Sequence, residues 1–342
     1  MSGMSKFNPL APILQTAVHA RNWLYDHSLL AEARLKIPVI SVGNITMGGT
    51  GKTPFIHWLI GELKDLGYRP GVASRSYGAK LRNSEWVHTE PGSYAVFGDE
   101  AVLLKLKNPT VPILSGPQKW VSALKLERES SETNVVLIDD GFQHRRLHRD
   151  FNIVLLDASV SLKDYEWPPV GRARETIQSL RRAQVIVFTR WEQRNEETVE
   201  FLKNAHQYCD LVLNAEQEIE PLRWIAGRPI KDVEPLKSGT ALAFCGLGNP
   251  SSFLKSLENQ GLKIGEFMRF PDHADYDELR IRHLVESGAK FDYVVTSEKD
   301  MVKLQNWPFN GPSLCVTPMR LKISGSLEAF RAKLSRSLWT NT

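Results

Sequence analysis

A glycine-rich segment near position 50 has the residue types and spacing needed to bind the phosphates of a nucleotide. In the sequence NITMGGTGKTPF, Lys52 and Thr53 directly follow the last of three glycines. Glycines let backbone N–H groups turn towards phosphate oxygens, a lysine reaches the outer phosphates, and a threonine hydroxyl binds Mg²⁺. We therefore predict a nucleotide-binding loop, with Thr53 also a metal ligand, that comprises Thr46, Met47, Gly48, Gly49, Thr50, Gly51, Lys52 and Thr53.

The loop departs from the general phosphate-loop pattern at one position. That pattern begins with a glycine where this chain has Thr46. A glycine-rich turn with a solvent-exposed lysine is the alternative interpretation. It does not explain why Lys52 and Thr53 follow the last glycine directly, so phosphate binding is favoured.

Two adjacent carboxylates could hold a metal ion. Asp139 and Asp140 end the apolar run VVLIDD, which is typical of a central parallel strand. Ligands bind outside the carboxyl ends of strands in open α/β sheets. We expect both residues to lie near Mg²⁺, directly or through water.

Three further groups are ambiguous from the residues alone. Asp99 and Glu100 begin a predicted helix in FGDEAVLL, where a carboxylate could accept a proton from an alcohol. Acids that merely favour a helix N-terminus are equally common, and we prefer that interpretation. His273 in FPDHADY indicates little by itself. The basic segment HRRLHRD, residues 144–150, fits either a phosphate contact or a solvated loop.

The elements that position these residues alternate between strands and helices. Strands are predicted in residues 37–45, 134–142, 151–158 and 183–190, and a helix that ends at Gly67 follows the glycine-rich turn. This alternation predicts an α/β fold: a P-loop NTPase-like parallel sheet domain with a second, smaller α/β domain.

Domain boundaries follow from shifts in composition. We expect an N-terminal amphipathic helix within residues 1–35 and a domain that contains the phosphate loop over 36–215. Residues 216–237 mix Pro, Gly and charge, which predicts a linker or a small hairpin. The smaller C-terminal domain would span 238–342. By pattern alone, the helix at Leu10–Leu30 would pack on its own domain rather than on a membrane.

Composition excludes several classes of protein. The 342 residues carry a net charge of +4, which suits an anionic ligand or surface but is too small to indicate nucleic acid. The three cysteines are far apart, which argues against a disulfide framework and fits the reducing cytoplasm. No apolar run is long enough to cross a bilayer.

Several motifs together resemble the tetraacyldisaccharide 4'-kinase family of lipid A biosynthesis. They are VGNITMGGTGKTPF, SRSYG, GDEAVLL, DDGFQHRRLHRD, GRARE, CGLGNPSSF, FPDHADY and TSEKDMVKL. The resemblance covers nearly the whole chain, and threonine at position 46 is acceptable in that family's loop.

The resemblance implies transfer of the ATP γ-phosphate to the 4'-hydroxyl of tetraacyldisaccharide 1-phosphate, which forms lipid IVA. It implies ATP and Mg²⁺ as cofactors and no obligate protein partner. It also implies a peripheral location on the cytoplasmic face of the inner membrane, with the N-terminal helix as the anchor. The lipid would enter a cleft between the domains.

The family's roles map onto individual positions of this chain. Asp99 matches the base, and His273 matches a histidine that pairs with it across the domain cleft. Lys52 matches the catalytic loop lysine. The resemblance also implies that Asp139 and Asp140 lie near Mg²⁺, and it places Glu100, Arg174 and Glu175 on the substrate side.

Three positions depart from the family's usual sequence. Ser76 replaces a glycine, Ala274 follows His273 in place of a second histidine, and Lys119 replaces an arginine. A lysine lacks the bidentate geometry of arginine, so Lys119 would alter a substrate or phosphate contact if the arginine made one.

Three other classes remain open on the residues alone. A partitioning-type or metallochaperone-type ATPase would hydrolyse ATP without an acceptor. A soluble small-molecule kinase would not need the N-terminal helix. A non-catalytic nucleotide-binding module would not depend on Asp99.

Overall fold

A computed structural model describes residues 10–75, 81–229 and 238–339. Most of the SRSYG motif, including Ser76, lies outside the described residues, as do residues 230–237. By contacts between Cα atoms the chain divides into two compact units. The first comprises residues 1–75, 116–217 and 322–342, and the second comprises residues 76–115 and 218–321.

The elements are numbered in chain order over the described residues. The strands are β1 (Val39–Asn44), β2 (Pro70–Ser74), β3 (Glu85–Trp86), β4 (Ile113–Ser115), β5 (Val135–Asp139), β6 (Phe151–Asp157), β7 (Val185–Thr189), β8 (Val212–Ile219), β9 (Arg223–Ala226), β10 (Thr240–Cys245), β11 (Lys263–Arg269), β12 (Tyr293–Ser297), β13 (Leu314–Thr317) and β14 (Met319–Ser324). The helices are α1 (Leu10–Asp26), α2 (Lys52–Asp65), α3 (Ser93–Phe97), α4 (Asp99–Lys107), α5 (Lys119–Glu129), α6 (Glu196–Ala205), α7 (Pro250–Asn259), α8 (Glu278–Gly288), α9 (Glu298–Met301) and α10 (Leu327–Trp339), with short 3-10 helices at Leu162–Tyr165, Ile177–Arg182 and Trp191–Gln193.

The first unit contains a parallel sheet in the order β8-β7-β6-β1-β5-β2. All residues of β1, β5, β6 and β7 are buried, which explains their near-continuous apolar runs. Strand β1 lies between β5 and β6, so the glycine-rich loop after β1 and the aspartates at the end of β5 emerge at the same edge of the sheet. This arrangement positions the predicted nucleotide site.

The last helix, α10, belongs to the first unit. Its Phe330 is fully buried and packs against Trp58 of α2 and Phe151 of β6, with ring centroids 5.6 and 6.4 Å apart. The Arg331 Nε–H donates to Glu62 at 2.7 Å. A segment from the C-terminal end of the sequence therefore completes the core around α2.

The second unit contains a sheet in the order β11-β10-β12-β13-β9. Strands β11, β10, β12 and β13 are parallel, and β9 is antiparallel to β13. The Asn249 side chain caps α7 by accepting the Ser252 N–H at 3.1 Å, as expected for an Asn-Pro turn that starts a helix. The fold class predicted from sequence, α/β with a second and smaller α/β unit, is confirmed.

The contact-based units are not the continuous segments expected from sequence. Residues 76–115 group with the second unit and residues 322–342 with the first. The segment expected as a linker, 216–237, contributes the end of β8 and the whole of β9. Strand β9 pairs with β13, nearly ninety residues later, so the described part of this segment is not a local hairpin.

Helix α1 is shorter than the predicted Leu10–Leu30. Ser28 has a φ of 57°, in the left-handed region, and the Leu29 N–H donates to the Leu24 carbonyl oxygen at 2.9 Å. A left-handed residue followed by this backward hydrogen bond is a common way for a helix to end. Within the described ranges, no helix is long and apolar enough to span a bilayer.

Candidate active site

The predicted phosphate loop connects β1 to α2. Gly48 and Gly51 have φ values of 107° and 76°, which L side chains rarely adopt, so these two positions require glycine. Helix α2 begins at Lys52 directly after Gly51. Thr53 lies in its first turn and is half-buried. The loop therefore places free N–H groups, a helix N-terminus, an ammonium group and a hydroxyl together, as phosphate binding requires.

Side chains from neighbouring strands hold the loop in shape. The Asn44 Nδ2–H donates to Thr50 Oγ1 at 3.0 Å, and the Thr189 hydroxyl donates to the Thr50 carbonyl oxygen at 2.9 Å. Arg190 Nη2 donates to the Gly49 carbonyl oxygen at 2.9 Å and its Nη1 pairs with Asp157. These contacts fix the loop's backbone before any ligand binds.

Asp140 is surrounded by three cations of the same unit. Lys52 Nζ lies 3.6 Å from Oδ1, and Lys119 Nζ lies 3.8 Å from Oδ2. Arg174 Nη1 donates to both carboxylate oxygens at 3.1 and 3.0 Å. Burial alone raises the pKa of this carboxyl, but the three cations outweigh it and hold the pKa well below its usual value. Asp140 is therefore ionised and orients Lys52.

Lys119, the departure from the family's arginine, also supports Asp140. Its Nζ donates to the Asp140 backbone carbonyl oxygen at 2.8 Å, and the side chain is 2% exposed. Asp140 itself has a φ of 52° in the left-handed region. Such a conformation costs about 1–3 kcal/mol and persists only where neighbouring groups hold it. Lys119 thus stabilises the bend that turns Asp140 towards Lys52.

Asp139 has the free coordination capacity that Asp140 lacks. Its Oδ2 accepts the Ser74 hydroxyl at 2.9 Å, whereas its buried Oδ1 has no hydrogen-bond partner within the described part of the chain. An orphaned carboxylate oxygen at the end of β5 fits a Mg²⁺ ligand or the ligand of a metal-bound water. The described residues contain no group of three or more His, Cys, Asp or Glu suited to a metal.

Arg174 and Glu175 have different surroundings although they are adjacent. Arg174 is partly exposed beside Asp140. Glu175 is 1% exposed, pairs with Arg182 and accepts the Asn22 amide at 2.8 Å. Glu175 therefore connects α1 to the rest of the first unit. Its contact with the substrate stays a prediction.

The basic segment after β5 also contacts α1. Arg145 Nη1 lies 2.7 Å from Asp26 Oδ1 and donates to the Asn22 carbonyl oxygen at 2.9 Å. Its guanidinium lies 5.1 Å from the centre of the Tyr25 ring. Arg145 therefore holds the C-terminal half of α1, and both alternatives stay open for the rest of the segment.

The second cluster of predicted residues lies in the second unit. His273 Nδ1 is 3.1 Å from both carboxylate oxygens of Asp99, the first residue of α4. The Glu100 N–H donates to Asp99 Oδ1 at 2.9 Å, and the Glu100 side chain is exposed. Because both Asp99 and His273 belong to the second unit, the pair does not bridge two domains as the resemblance implied.

The pKa values of Asp99 and His273 are shifted in opposite directions. Burial alone raises the pKa of Asp99, but the hydrogen bond from His273 and two nearby lysines hold it well below its usual value. The hydrogen bond with Asp99 raises the pKa of His273, against the effects of burial and of Lys299. A proton added to this pair therefore resides on the imidazole.

Two lysines of the TSEKDMVKL motif, for which sequence reasoning gave no role, lie beside the pair. Lys303 Nζ is 2.8 Å from Asp99 Oδ2, and Lys299 Nζ is 3.2 Å from His273 Nε2. The available signal was their spacing of four residues just after a strand, which puts both on one side of a helical turn. Nothing in the sequence showed that either lysine would be buried.

Asp300 of the same motif fixes the surrounding loops. Its fully buried carboxylate accepts the Gly246 N–H at 3.0 Å, the Tyr276 hydroxyl at 3.0 Å and the Ser297 hydroxyl at 2.6 Å. These partners belong to the CGLGNP, FPDHADY and TSEKD motifs. One carboxylate therefore ties together three of the segments that carried the resemblance.

Comparisons with known proteins identify the family of the chain. The family model for tetraacyldisaccharide-1-P 4'-kinase matches residues 5–338. The tetraacyldisaccharide 4'-kinase of Bdellovibrio bacteriovorus is 34% identical over 300 residues, covering 87% of this chain and 88% of that protein. That of Aquifex aeolicus is 36% identical over 313 residues, covering 89% and 90%.

A solved structure is similar over nearly the full length. It is the crystal structure of LpxK from Aquifex aeolicus in complex with ATP, with a TM-score of 0.74 and 30% identity in the structural alignment, covering 96% of this chain and 98% of that one. These matches favour the kinase interpretation over the three other classes that the residues left open. The chain belongs to the tetraacyldisaccharide-1-P 4'-kinase family.

Proposed function

We propose that the phosphate loop and the Asp99–His273 pair carry out the family's reaction in this chain. That reaction transfers the γ-phosphate of ATP to the 4'-hydroxyl of tetraacyldisaccharide 1-phosphate and forms lipid IVA. The observation that carries the proposal is a buried carboxylate in contact with an imidazole, in a chain whose glycine-rich loop has phosphate-binding geometry.

On the nucleotide side, residues of the first unit bind and orient the phosphates. Backbone N–H groups of residues 48–53 bind phosphate oxygens, and Lys52, held by Asp140, neutralises charge on the transferring group. Thr53 and Asp139 would hold Mg²⁺, with Asp140 orienting the lysine. When bound, the metal neutralises charge on the phosphate oxygens. Positioning and electrostatics supply most of the rate in phosphoryl transfer.

On the acceptor side, the pair removes the proton of the 4'-hydroxyl. Asp99 remains ionised because its pKa is held low, and it stabilises the charged imidazole. The proton taken from the hydroxyl therefore ends on His273, whose side chain is 36% exposed, whereas Asp99 is 5% exposed. Glu100 and Arg174 are exposed enough to contact the substrate.

The decisive experiment is a phosphoryl-transfer assay. The purified protein is supplied with ATP, Mg²⁺ and tetraacyldisaccharide 1-phosphate, and lipid IVA is measured by chromatography. We expect product with the native protein and a loss of at least about 100-fold with His273→Ala. Lipid IVA formation at the native rate by His273→Ala would refute the role of the pair. Activity on another alcohol without lipid IVA would refute the substrate assignment.

We also propose peripheral contact with the cytoplasmic face of the inner membrane through α1. Trp23 is 53% exposed and Leu29, just beyond the helix, is 61% exposed. The helix contacts the rest of its unit through polar and ionic groups of Asn22 and Asp26. An amphipathic helix held by its polar side can present apolar side chains to lipid.

Vesicle flotation tests the membrane proposal. The native protein should float with vesicles that contain anionic lipid, and the double variant Trp23→Ser/Leu29→Ser should bind about tenfold more weakly, because two apolar side chains no longer enter the bilayer. Val170→Ser is the matched control, since Val170 is 58% exposed elsewhere in the first unit. Equal binding by all three proteins would refute the role of α1.

A further inference from the structure

A buried ammonium group contacts Asp99 and the backbone of Ala274, the residue that follows His273. The Lys303 side chain is 2% exposed, and its Nζ lies 2.8 Å from Asp99 Oδ2. The same Nζ donates to the carbonyl oxygen of Ala274 at 3.0 Å. Ala274 directly follows His273, so Lys303 holds the carboxylate directly and the imidazole through the adjoining backbone.

The loop that Lys303 holds is in an unfavourable conformation. His273 has a φ of 60°, in the left-handed region, and such a strained conformation persists only where the surroundings hold it. The bond from Lys303 to Ala274 is one of these fixing contacts. Loss of this bond would let the imidazole move away from Asp99.

The other charged groups around the pair balance in sign. Glu100 and Asp272 are negative, and Lys299 and Lys303 are positive. Lys299 Nζ lies 2.8 Å from Asp272 Oδ1, 3.7 Å from Glu100 Oε1 and 3.2 Å from His273 Nε2. Because Lys299 already has these partners, Lys303 is the cation that directly contacts the Asp99 carboxylate.

A buried lysine is costly and needs a reason. Burial of a charged pair is often no more stable than an apolar replacement of the same volume, so stability alone does not account for it. A lysine supplies a compact charge that favours the ionised carboxylate. Together with His273 and Lys299, Lys303 lowers the pKa of Asp99 against the effect of burial, and only the ionised carboxylate can stabilise a charged imidazole.

Resting on the proposed function above, we infer that Lys303 is a positioning residue for phosphoryl transfer. It holds Asp99 ionised and keeps the carboxylate directed at His273, and it touches neither ATP nor the acceptor.

The test compares four lysine variants, three at Lys303 and one at Lys107, in full pH profiles of kcat and KM. Lys303→Met removes the charge and both hydrogen bonds. Lys303→Gln removes the charge but keeps donors, which protects against a failure to fold. Lys107→Met is the matched control, because Lys107 lies on the same helix as Asp99 and pairs with Glu298 at 2.6 Å without contacting the pair.

We expect kcat to fall about 100-fold in Lys303→Met, while KM for both substrates changes less than about threefold. The acidic limb of the kcat profile should move to higher pH in Lys303→Met and in Lys303→Gln, because removal of a cation raises the pKa of both Asp99 and His273. Lys107→Met should keep the native profile, even if its melting temperature falls. Lys303→Arg, which restores the charge, should return the acidic limb towards its native position.

The outcomes separate this inference from the proposed function. If the acidic limb and kcat of folded Lys303→Gln equal those of the native protein while His273→Ala is inactive, Lys303 has no positioning role. If Lys303→Met and Lys107→Met lose activity equally and neither shifts the profile, the effect is structural and the inference also fails. If His273→Ala itself is fully active, the proposed function fails first.

Discussion

The phosphate loop and the Asp99–His273 pair are built in opposite ways. The loop is a continuous run of eight residues whose ligands are mostly backbone groups, and two glycines with positive φ set its shape. The pair joins side chains 174 residues apart, and its geometry depends on buried charges that surround it. The first site needs only a local sequence, whereas the second exists only once its unit has folded. Mutations should therefore affect them differently.

Removal of the loop lysine should have the largest effect. Lys52→Ala deletes the charge that neutralises the transferring phosphate, and we expect kcat to fall by at least about 10³-fold with weaker ATP binding. Lipid IVA formation and ATP titration measure the two effects. Lys64→Ala, at the exposed far end of the same helix, is the control and should behave as the native protein. Native activity in Lys52→Ala would remove the loop from the mechanism.

Removal of the imidazole should reduce turnover without affecting the nucleotide. His273→Ala should lower kcat about 10²- to 10³-fold. The dissociation constant of this variant for ATP should stay within about twofold of the native value, because His273 belongs to the second unit and the phosphate loop to the first. Isothermal titration with a non-hydrolysable ATP analogue checks the binding. A large loss of ATP affinity would mean that the two sites are not separable in this way.

The two adjacent aspartates should respond differently to Mg²⁺. Asp139→Asn alters the carboxylate with the orphaned oxygen, so the Mg²⁺ concentration for half-maximal rate should rise about tenfold or more. Asp140→Asn weakens the ionic contacts with Lys52 and Arg174, so kcat should fall with little change in the Mg²⁺ requirement. Magnesium titrations of both variants at saturating ATP check the difference. Identical Mg²⁺ titration curves for the two variants would show that Asp139 and Asp140 act together as one ligand.

The smallest expected effect is a pH-dependent difference in stability. Because its folded-state pKa is raised, His273 contributes stability that is fully present below its unfolded pKa of about 6.5 and is lost as pH rises through the raised value. Asp99 stays ionised throughout this range. The melting temperature of the native protein should therefore exceed that of His273→Gln by about 1–2 °C near pH 6, and the gap should narrow at alkaline pH. A gap that widens with pH would contradict the assigned direction of the pKa shift.

The sequence was informative where chemistry is local. The strand, glycine-rich turn and helix around Lys52 were predicted from spacing alone, and so was the start of α4 at Asp99. The resemblance, rather than any spacing, brought Asp99 and His273 together. No sequence pattern shows that a lysine will be buried, so a role for Lys303 could not be predicted.

Two other differences have equally physical causes. The left-handed Ser28 ends α1 early, although the apolar spacing continues to Leu30. Strand β9 lies in a segment rich in Pro, Gly and charge, and its strand conformation depends on pairing with β13, which sequence reasoning could not foresee. The conformation of β9 depends on β13, and the position of Asp99 depends on His273. In both cases the partner is far away in the sequence, so local patterns do not show it.

The placement of α10 has a consequence for synthesis of the protein. Phe330 packs beside Trp58 and Phe151, so the core of the first unit stays incomplete until α10 has been translated. A chain truncated before Leu327 would expose apolar surface on α2 and β6 while it already carries every residue of both catalytic clusters. Such a product would be prone to aggregate, and the cell would gain no partially active kinase from incomplete synthesis.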